Sequence, residues 1–309
     1  MKTVLFVNHR TKECGVEQLG SRYYRNFAES SNYEVHYIDV DEASEYLYWV
    51  EQLKPDAVIF NFYSGATMHW LSNELIESNR NNFKQLCIYH ELPLESKGFD
   101  LLLHQDPNSS DEFKHWSLPR SIPEYNENPP QPLVPTFGSF GFGIGGKGFD
   151  TLVKMVNAEY DEARIHLHIP FAAFGDAQGV SARAHVENAQ RENVKPGITL
   201  TVDHSFLPEN VLLDWLASNT CNAFLYHEHY GRGIASTTDY ALAVKRPLAI
   251  TRSYQFKHLW SVDDSFTVER STLKEIIAMG SAPTDKFRQA WSRQAFVTSL
   301  ELALESLGV

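Results

Sequence analysis

Apolar residues in this chain fall into short β-rich runs separated by stretches of helical periodicity. Val4 to Val7 is the first such run, His9 to Gly15 is polar and ends on a glycine, and Val16 to Phe27 repeats apolar positions at helical spacing. The alternation continues through a strand at Val35 to Val40, a helix at Ala43 to Leu53, a strand at Ala57 to Phe60, a helix at Met68 to Ile76 and a strand at Gln85 to Tyr89. Short apolar strands bounded by helices predict a parallel sheet covered on both faces.

The pattern stops between Ser117 and Pro135, where Pro119, Pro123, Pro129, Pro130, Pro132 and Pro135 predict a linker. It then restarts with strand Val134 to Phe137, helix Phe149 to Asn157, strand Arg164 to Ile169, helix Ser181 to Glu192 and strand Ile198 to Val202. Helix Glu209 to Ala217, strand Ala223 to Tyr226, helix Ile234 to Val244 and strand Pro247 to Ile250 follow. Thr284 to Leu307 reads as one long amphipathic helix, which packs either back on the first domain or within the second. The expected fold is α/β, with two tandem Rossmann-like doubly wound domains at 1–132 and 133–283 and a C-terminal helix at 284–309. Such sheets bind ligands beyond the carboxyl ends of their strands, so the expected site is the cleft between the domains.

Composition adds limits rather than chemistry. With 309 residues, 43% of them hydrophobic and 21% charged, the chain has the makeup of a soluble globular protein with two cores. Its net charge of −12, most of it accumulated before residue 132, repels nucleic acid and anionic membranes. Cys14, Cys87 and Cys221 form no C-x-x-C, so neither a disulfide framework nor a zinc knuckle is indicated, and a reducing, cytoplasmic setting is expected. Val4 to Val7 is too short for a secretory h-region, and no run approaches the roughly 18 apolar residues of a membrane span.

The chemistry begins at the glycine-dense loop Gly138 to Asp150, GSFGFGIGGKGFD. Gly141, Gly143 and Gly146 spell G-x-G-x-x-G, and Gly141 to Lys147 matches the first positions of a P-loop. Gly148 stands where a P-loop needs the Ser or Thr hydroxyl that reaches Mg²⁺, and the dinucleotide reading lacks its place in a first βαβ unit. A flexible glycine-rich connection is the plain alternative. Later, a strand runs into Glu228, Tyr230, Gly231, Arg232 and Gly233 ahead of a helix. Free amides at a helix start, close approach over glycine and a bidentate arginine are suited to a diphosphate, whereas a capped helix with a solvated loop is the bland reading.

Together these halves resemble the retaining glycosyltransferases of the GT-B fold, family 4 type. The likeness rests on the glycine loop with its Lys147-Gly148 pair, on Glu228 with Tyr230-Gly231, on Asp239-Tyr240-Ala241-Leu242-Ala243 with Pro247, and on Cys14-Gly15-Val16-Glu17 after the first strand. His90, ending the run CIYH, sits where that family often has a histidine facing the donor sugar. The resemblance implies a catalytic group of Glu228, His90 and Lys147. It implies donor contacts from Gly15, Ser139, Gly141, Gly143, Gly146, Lys147, Gly148, Tyr230, Gly231, Arg232, Gly233 and Asp239, the last on the ribose. Ser139 replaces the family's usual arginine, with Arg232 as substitute; the Glu228-to-Asp239 spacing is longer than the family's two-acid motif; and Cys14 replaces the first glycine of the Gly-Gly loop.

The function so implied is transfer of a sugar from a nucleotide-diphosphate donor to a glycan or other small acceptor, without a metal or separate cofactor and with retention. A non-catalytic nucleotide-sugar or glycan-binding module of the same fold, and an NAD(P)-dependent oxidoreductase, are the alternatives. His166 and His168 share a strand face, but no third ligand accompanies them, and His227-Glu228-His229 diverge in direction. Among Phe60, Phe62, Tyr63 and Trp70, Phe60 reads as core, and Tyr63 stays open as an acceptor platform.

Overall fold

The computed structural model describes residues 1–63, 67–90, 98–109, 115–228 and 233–309. The chain divides into two compact units, one formed by Met1–Ser121 and Trp291–Val309 together with Gly233, and the other by the remaining described residues.

In the first unit, β1 (Lys2–Asn8), α1 (Gly15–Phe27), β2 (Tyr33–Asp39), α2 (Ala43–Leu53), β3 (Ala57–Phe62), α3 (Asn73–Asn79), β4 (Lys84–Tyr89), β5 (Leu101–His104) and β6 (His115–Ser117) follow in order. The strands form a parallel sheet in the order β2-β1-β3-β4-β5-β6. Alternation along β1 sends Val4 and Phe6 to one face, with Leu19, Tyr23 and Phe27 of α1, and Leu5 and Val7 to the other, with Tyr46 of α2 and Ile76 of α3. Two-sided burial explains why the strands read as continuous apolar runs.

In the second unit, β7 (Thr136–Phe140), α4 (Phe149–Glu159), β8 (Ala163–His168), α5 (Val180–Glu192), β9 (Ile198–Asp203), α6 (Glu209–Ala217), β10 (Cys221–Phe224), α7 (Thr237–Ala243) and β11 (Leu248–Ile250) alternate. Three short helices follow: α8 (Lys257–Trp260), α9 (Leu273–Met279) and α10 (Asp285–Ala290). The sheet order is β11-β10-β7-β8-β9, all parallel. Strand order therefore reverses between β7 and β10, because β7 connects forward to β8 on one side and lies beside β10 on the other.

The single helix expected from Thr284 to Leu307 is broken. It ends as α10 at Ala290 and restarts as α11 (Arg293–Glu305), because the Ser292 hydroxyl accepts from the amide of Ala295 and caps a new helix. The restarted helix belongs to the first unit. Phe296, Leu300 and Leu304 are fully buried in its core; Phe296 lies 4.4 Å ring-to-ring from Tyr23, and the Trp116 indole donates to Ser299 at 2.9 Å.

Other corrections are local. The helix expected from Met68 starts only at Asn73, since Met68 has φ 52 and Ser72 caps the helix by accepting from Leu75. The helix expected from Ile234 starts at Thr237, with Ser236 at its N-cap and, just upstream, the Ala235 amide donating to the Gln255 carbonyl. Strands β5 and β6 carry no expectation from the pattern; four and three residues are too few to show a period.

Truncating Phe296 to alanine is expected to lower stability by about 3–5 kcal/mol, measured by denaturant unfolding; a loss below about 1 kcal/mol would show that α11 is peripheral to the first core.

Candidate functional site

Loops from β7 and β10, the two strands that flank the reversal of strand order, carry most of the expected donor contacts. A crevice at such a reversal is where open α/β sheets hold ligands. The β7 loop reaches α4 through Gly148, which has φ 65 and caps the helix. A Cβ there would collide with the carbonyl of Leu225 just beyond β10, so only glycine lets the start of α4 approach the neighbouring strand so closely. Gly143 is pressed against the backbone of Ala182 at the start of α5, and Gly141 lies beside the Lys147 side chain and the Tyr226 hydroxyl. Gly146 has φ 81 and open space around it, and its carbonyl accepts from the His227 amide at 2.8 Å.

Lys147 is half-buried, with Nζ 4.1 Å from the centre of the Tyr226 ring. The first amides of the 11-residue α4 open beside it, giving a lysine and a helix N-terminus in one loop. The helix starts at Phe149, after Gly148. The glycine that packs helix against strand is thus Gly148, outside the Gly141-Gly143-Gly146 triplet of the dinucleotide fingerprint. Ser139 is buried on β7.

Beyond β10, the Tyr226 hydroxyl lies 3.3 Å from Thr237 Oγ1, the Tyr226 carbonyl accepts from Thr251 at 2.6 Å, and His227 Nε2 lies 3.2 Å from Thr151 Oγ1. Glu228 is exposed, and its carboxylate accepts from the Tyr254 amide at 3.2 and 3.1 Å, capping the short 3₁₀ turn Tyr254–Phe256. Tyr230, Gly231 and Arg232 lie outside the described residues. Gly233 precedes the first residue of α7, Thr237, by four positions, so it does not open that helix. Asp239 is fully buried in α7 and presents no surface to solvent. Among the described residues no three His, Cys, Asp or Glu side chains gather as metal ligands would. Among the described residues the cysteines are buried and form no disulfide, and no helix is long and apolar enough to cross a membrane.

The first unit carries Gly15 and His90 at the carboxyl ends of its strands. Gly15 opens α1 with open space around it. The loop before it is held by Lys12, whose ammonium lies 3.1 Å from the buried Glu17 carboxylate and 3.0 Å from Asp39. His90 is tied at both ring nitrogens: Nε2 lies 2.7 Å from Asn61 Oδ1 and Nδ1 lies 2.8 Å from Gln105 Nε2. The Asn61 amide donates to Asn8 Oδ1 and the Val16 carbonyl, leaving its oxygen to accept from His90 Nε2–H, while the Gln105 amide donates to Nδ1. Arg120, fully buried, donates to Gln105 Oε1 at 2.9 Å and closes the network. His90 therefore holds the ends of β3 and β4 together, and neither ring nitrogen is left over for a sugar hydroxyl.

Sequence reasoning missed Tyr226, Thr151, Asn61 and Gln105. Tyr226 and Thr151 each lie within four residues of an expected contact, Glu228 and Lys147, but nothing in a linear pattern announces a lysine over a ring. Asn61, a lone polar residue in the apolar run AVIFNF, is the one legible signal: a buried amide there needs partners.

Burial, with Arg120 and His9 adding to it, lowers the His90 pKa to about 3. The unfolded residue titrates near 6.5, so between these values the unfolded chain binds the extra proton and stability falls as pH falls. His9, His166, His168 and His185 are also shifted down by burial, so the comparison has to be with a variant. Wild type should lose stability more steeply than His90→Gln from about pH 6.5 to about pH 4, as followed by urea unfolding; parallel curves would contradict the neutral imidazole.

No protein-family model matches the sequence, and no curated protein matches it significantly. Solved structures do resemble it along its whole length. Sucrose-phosphate synthase from Thermosynechococcus elongatus superposes with a TM-score of 0.73 at 11% identity, covering 99% of each chain. A glycosyltransferase from Rickettsia africae gives 0.70 at 12% identity, covering 99% of this chain and 98% of that one. Anabaena HepE, solved in complex with UDP, gives 0.66 at 10% identity, covering 99% and 100%. Two parallel α/β sheets of six and five strands, together with the likeness to these structures over the whole chain, give it the GT-B glycosyltransferase fold.

Proposed function

We propose that the protein is a glycosyltransferase that moves a sugar from a nucleoside diphosphate donor to a glycan or other small acceptor, without a metal ion and with retention at the anomeric carbon. The observation that carries this reading is the pairing of Lys147 with the α4 N-terminus in a loop from β7, beside β10 at the reversal of strand order. In such a transfer the bond from the anomeric carbon to the diphosphate oxygen breaks and its electron pair leaves on the diphosphate. The acceptor hydroxyl oxygen then bonds to that carbon and gives up its proton. The departing charge is what the lysine and the oriented amides stabilise. Uridine nucleotides are the first candidates, since HepE was solved with UDP and a trehalose-6-phosphate protein of similar fold with UDP-2-fluoro glucose.

Glu228, exposed beyond β10, is assigned to the donor sugar hydroxyls, and Tyr230, Gly231, Arg232 and Gly233, which follow it in sequence, to the donor. Gly141, Gly143, Gly146 and Gly148 shape the diphosphate wall. Gly15 stands on the first unit's β1–α1 loop. His90 is assigned to holding the strand ends, and buried Asp239 to the α7 core, so the ribose contact passes to a residue outside it.

Calorimetry with UDP, GDP, ADP and CDP in the presence of EDTA tests the reading; absence of binding by all of them would sink it. Lys147→Ala should weaken the best nucleotide by roughly 1–3 kcal/mol, the scale of a lost charged hydrogen bond. Unchanged affinity in a folded variant would remove Lys147 from the site.

A further inference from the structure

Helix α2 turns two large aromatic side chains outward, with Tyr48 56% and Trp49 40% exposed and their rings edge-on at 5.4 Å. Both line a recess of about 360 Å³ together with Arg10, Ser44 and Glu45. Ser44 and Tyr48, and Glu45 and Trp49, are each four apart on the helix, so two polar groups and two rings stack in rows along one face. Arg10 comes from the loop after β1, and α2 follows β2, so the recess lies at the carboxyl ends of adjacent strands of the first unit.

The polar side of the recess is a preformed fork. Arg10 Nη2 donates to Glu45 Oε1 at 2.9 Å, Arg10 Nε donates to the Asp39 carbonyl at 3.3 Å, and the other Glu45 oxygen accepts from the Asp41 amide at 3.3 Å. The Arg10 amide in turn donates to Asp41 Oδ1 at 3.3 Å. One guanidinium is thus surrounded by the carboxylates of Glu45, Asp39 and Asp41, and Lys12 nearby is held between Asp39 and Glu17. The balance of charge around the recess is negative, which disfavours phosphate or carboxylate ligands. What remains is a surface with aromatic faces for apolar C–H groups beside fixed donors and acceptors for hydroxyls.

From this juxtaposition we infer that the Arg10, Ser44, Glu45, Tyr48 and Trp49 recess is a saccharide-binding subsite that takes a neutral pyranose and rejects sugar phosphates. It goes beyond the transfer reaction proposed above and does not depend on it, since a saccharide would bind this recess whether or not any nucleotide binds the second unit.

The test is saturation-transfer NMR on the full chain with a panel of neutral gluco-, galacto- and manno-configured oligosaccharides, with glucose 6-phosphate alongside. A neutral oligosaccharide should receive saturation, and Trp49→Ala should weaken its binding roughly five- to tenfold, the scale of one lost aromatic contact. Tyr48→Ala should act in the same direction. Both residues are exposed, so the variants should keep the wild-type melting temperature, and circular dichroism verifies this. Glu45→Gln removes one carboxylate beside Arg10 and should raise affinity for glucose 6-phosphate relative to the neutral sugars. The proposal is overturned if no oligosaccharide in the panel shows a Trp49-dependent signal, if glucose 6-phosphate binds the wild type best, or if Trp49→Ala abolishes only self-association in sedimentation.

Discussion

The structure of the second unit depends on one close approach, that of Gly148 to the Leu225 carbonyl. A side chain at 148 would drive the start of α4 away from the exit of β10. With it would go the hydrogen bond from the His227 amide to Gly146, the Thr151–His227 contact and the seat of Lys147 over Tyr226. The same device recurs in the first unit. Gly20 on α1 faces Asn61 and Asn8, where a Cβ would collide with the Asn61 amide, so the helix after β1 lies close on the ends of β1 and β3. In each unit a glycine lets the first helix close on the sheet where the strand order reverses, the place at which such sheets hold ligands.

Several polar side chains at the strand ends of the first unit are satisfied in a chain rather than singly. Asn8, Asn61, His90, Gln105 and Arg120 exchange hydrogen bonds in a directional sequence in which each amide has its donor and acceptor sides used. A network of this kind is costly to disturb, since any member left unpaired in a low-dielectric setting loses its full solvation. Loss of solvent around the ring does most to keep the imidazole of His90 neutral, and the nearby Arg120 opposes a second proton; its partners fit that state, since they use one N–H and one lone pair.

Much of the architecture was legible because two-sided burial writes itself as short apolar runs, and the two helices Ala43–Leu53 and Glu209–Ala217 stand where periodicity put them. The glycine loop stands out in the sequence, but not which of its glycines packs most tightly; that depends on the carbonyl of Leu225, some 77 residues away in sequence. The break at Ser292 is hidden from a reading of periodicity because apolar spacing runs through it, and only the hydroxyl at a capping position marks the restart. His90 was read by its place after a strand. Its commitment to Asn61 and Gln105 arises from tertiary contacts that no local pattern carries.

The central claim is that a nucleoside diphosphate lies against the α4 start and the exit of β10. Amide chemical-shift mapping of deuterated, ¹⁵N-labelled protein during titration with UDP tests it most directly. The account predicts that the largest shifts fall on the amides of residues 146–151 and 226–228. Saturation with UDP that leaves these amides in place while moving others would contradict it.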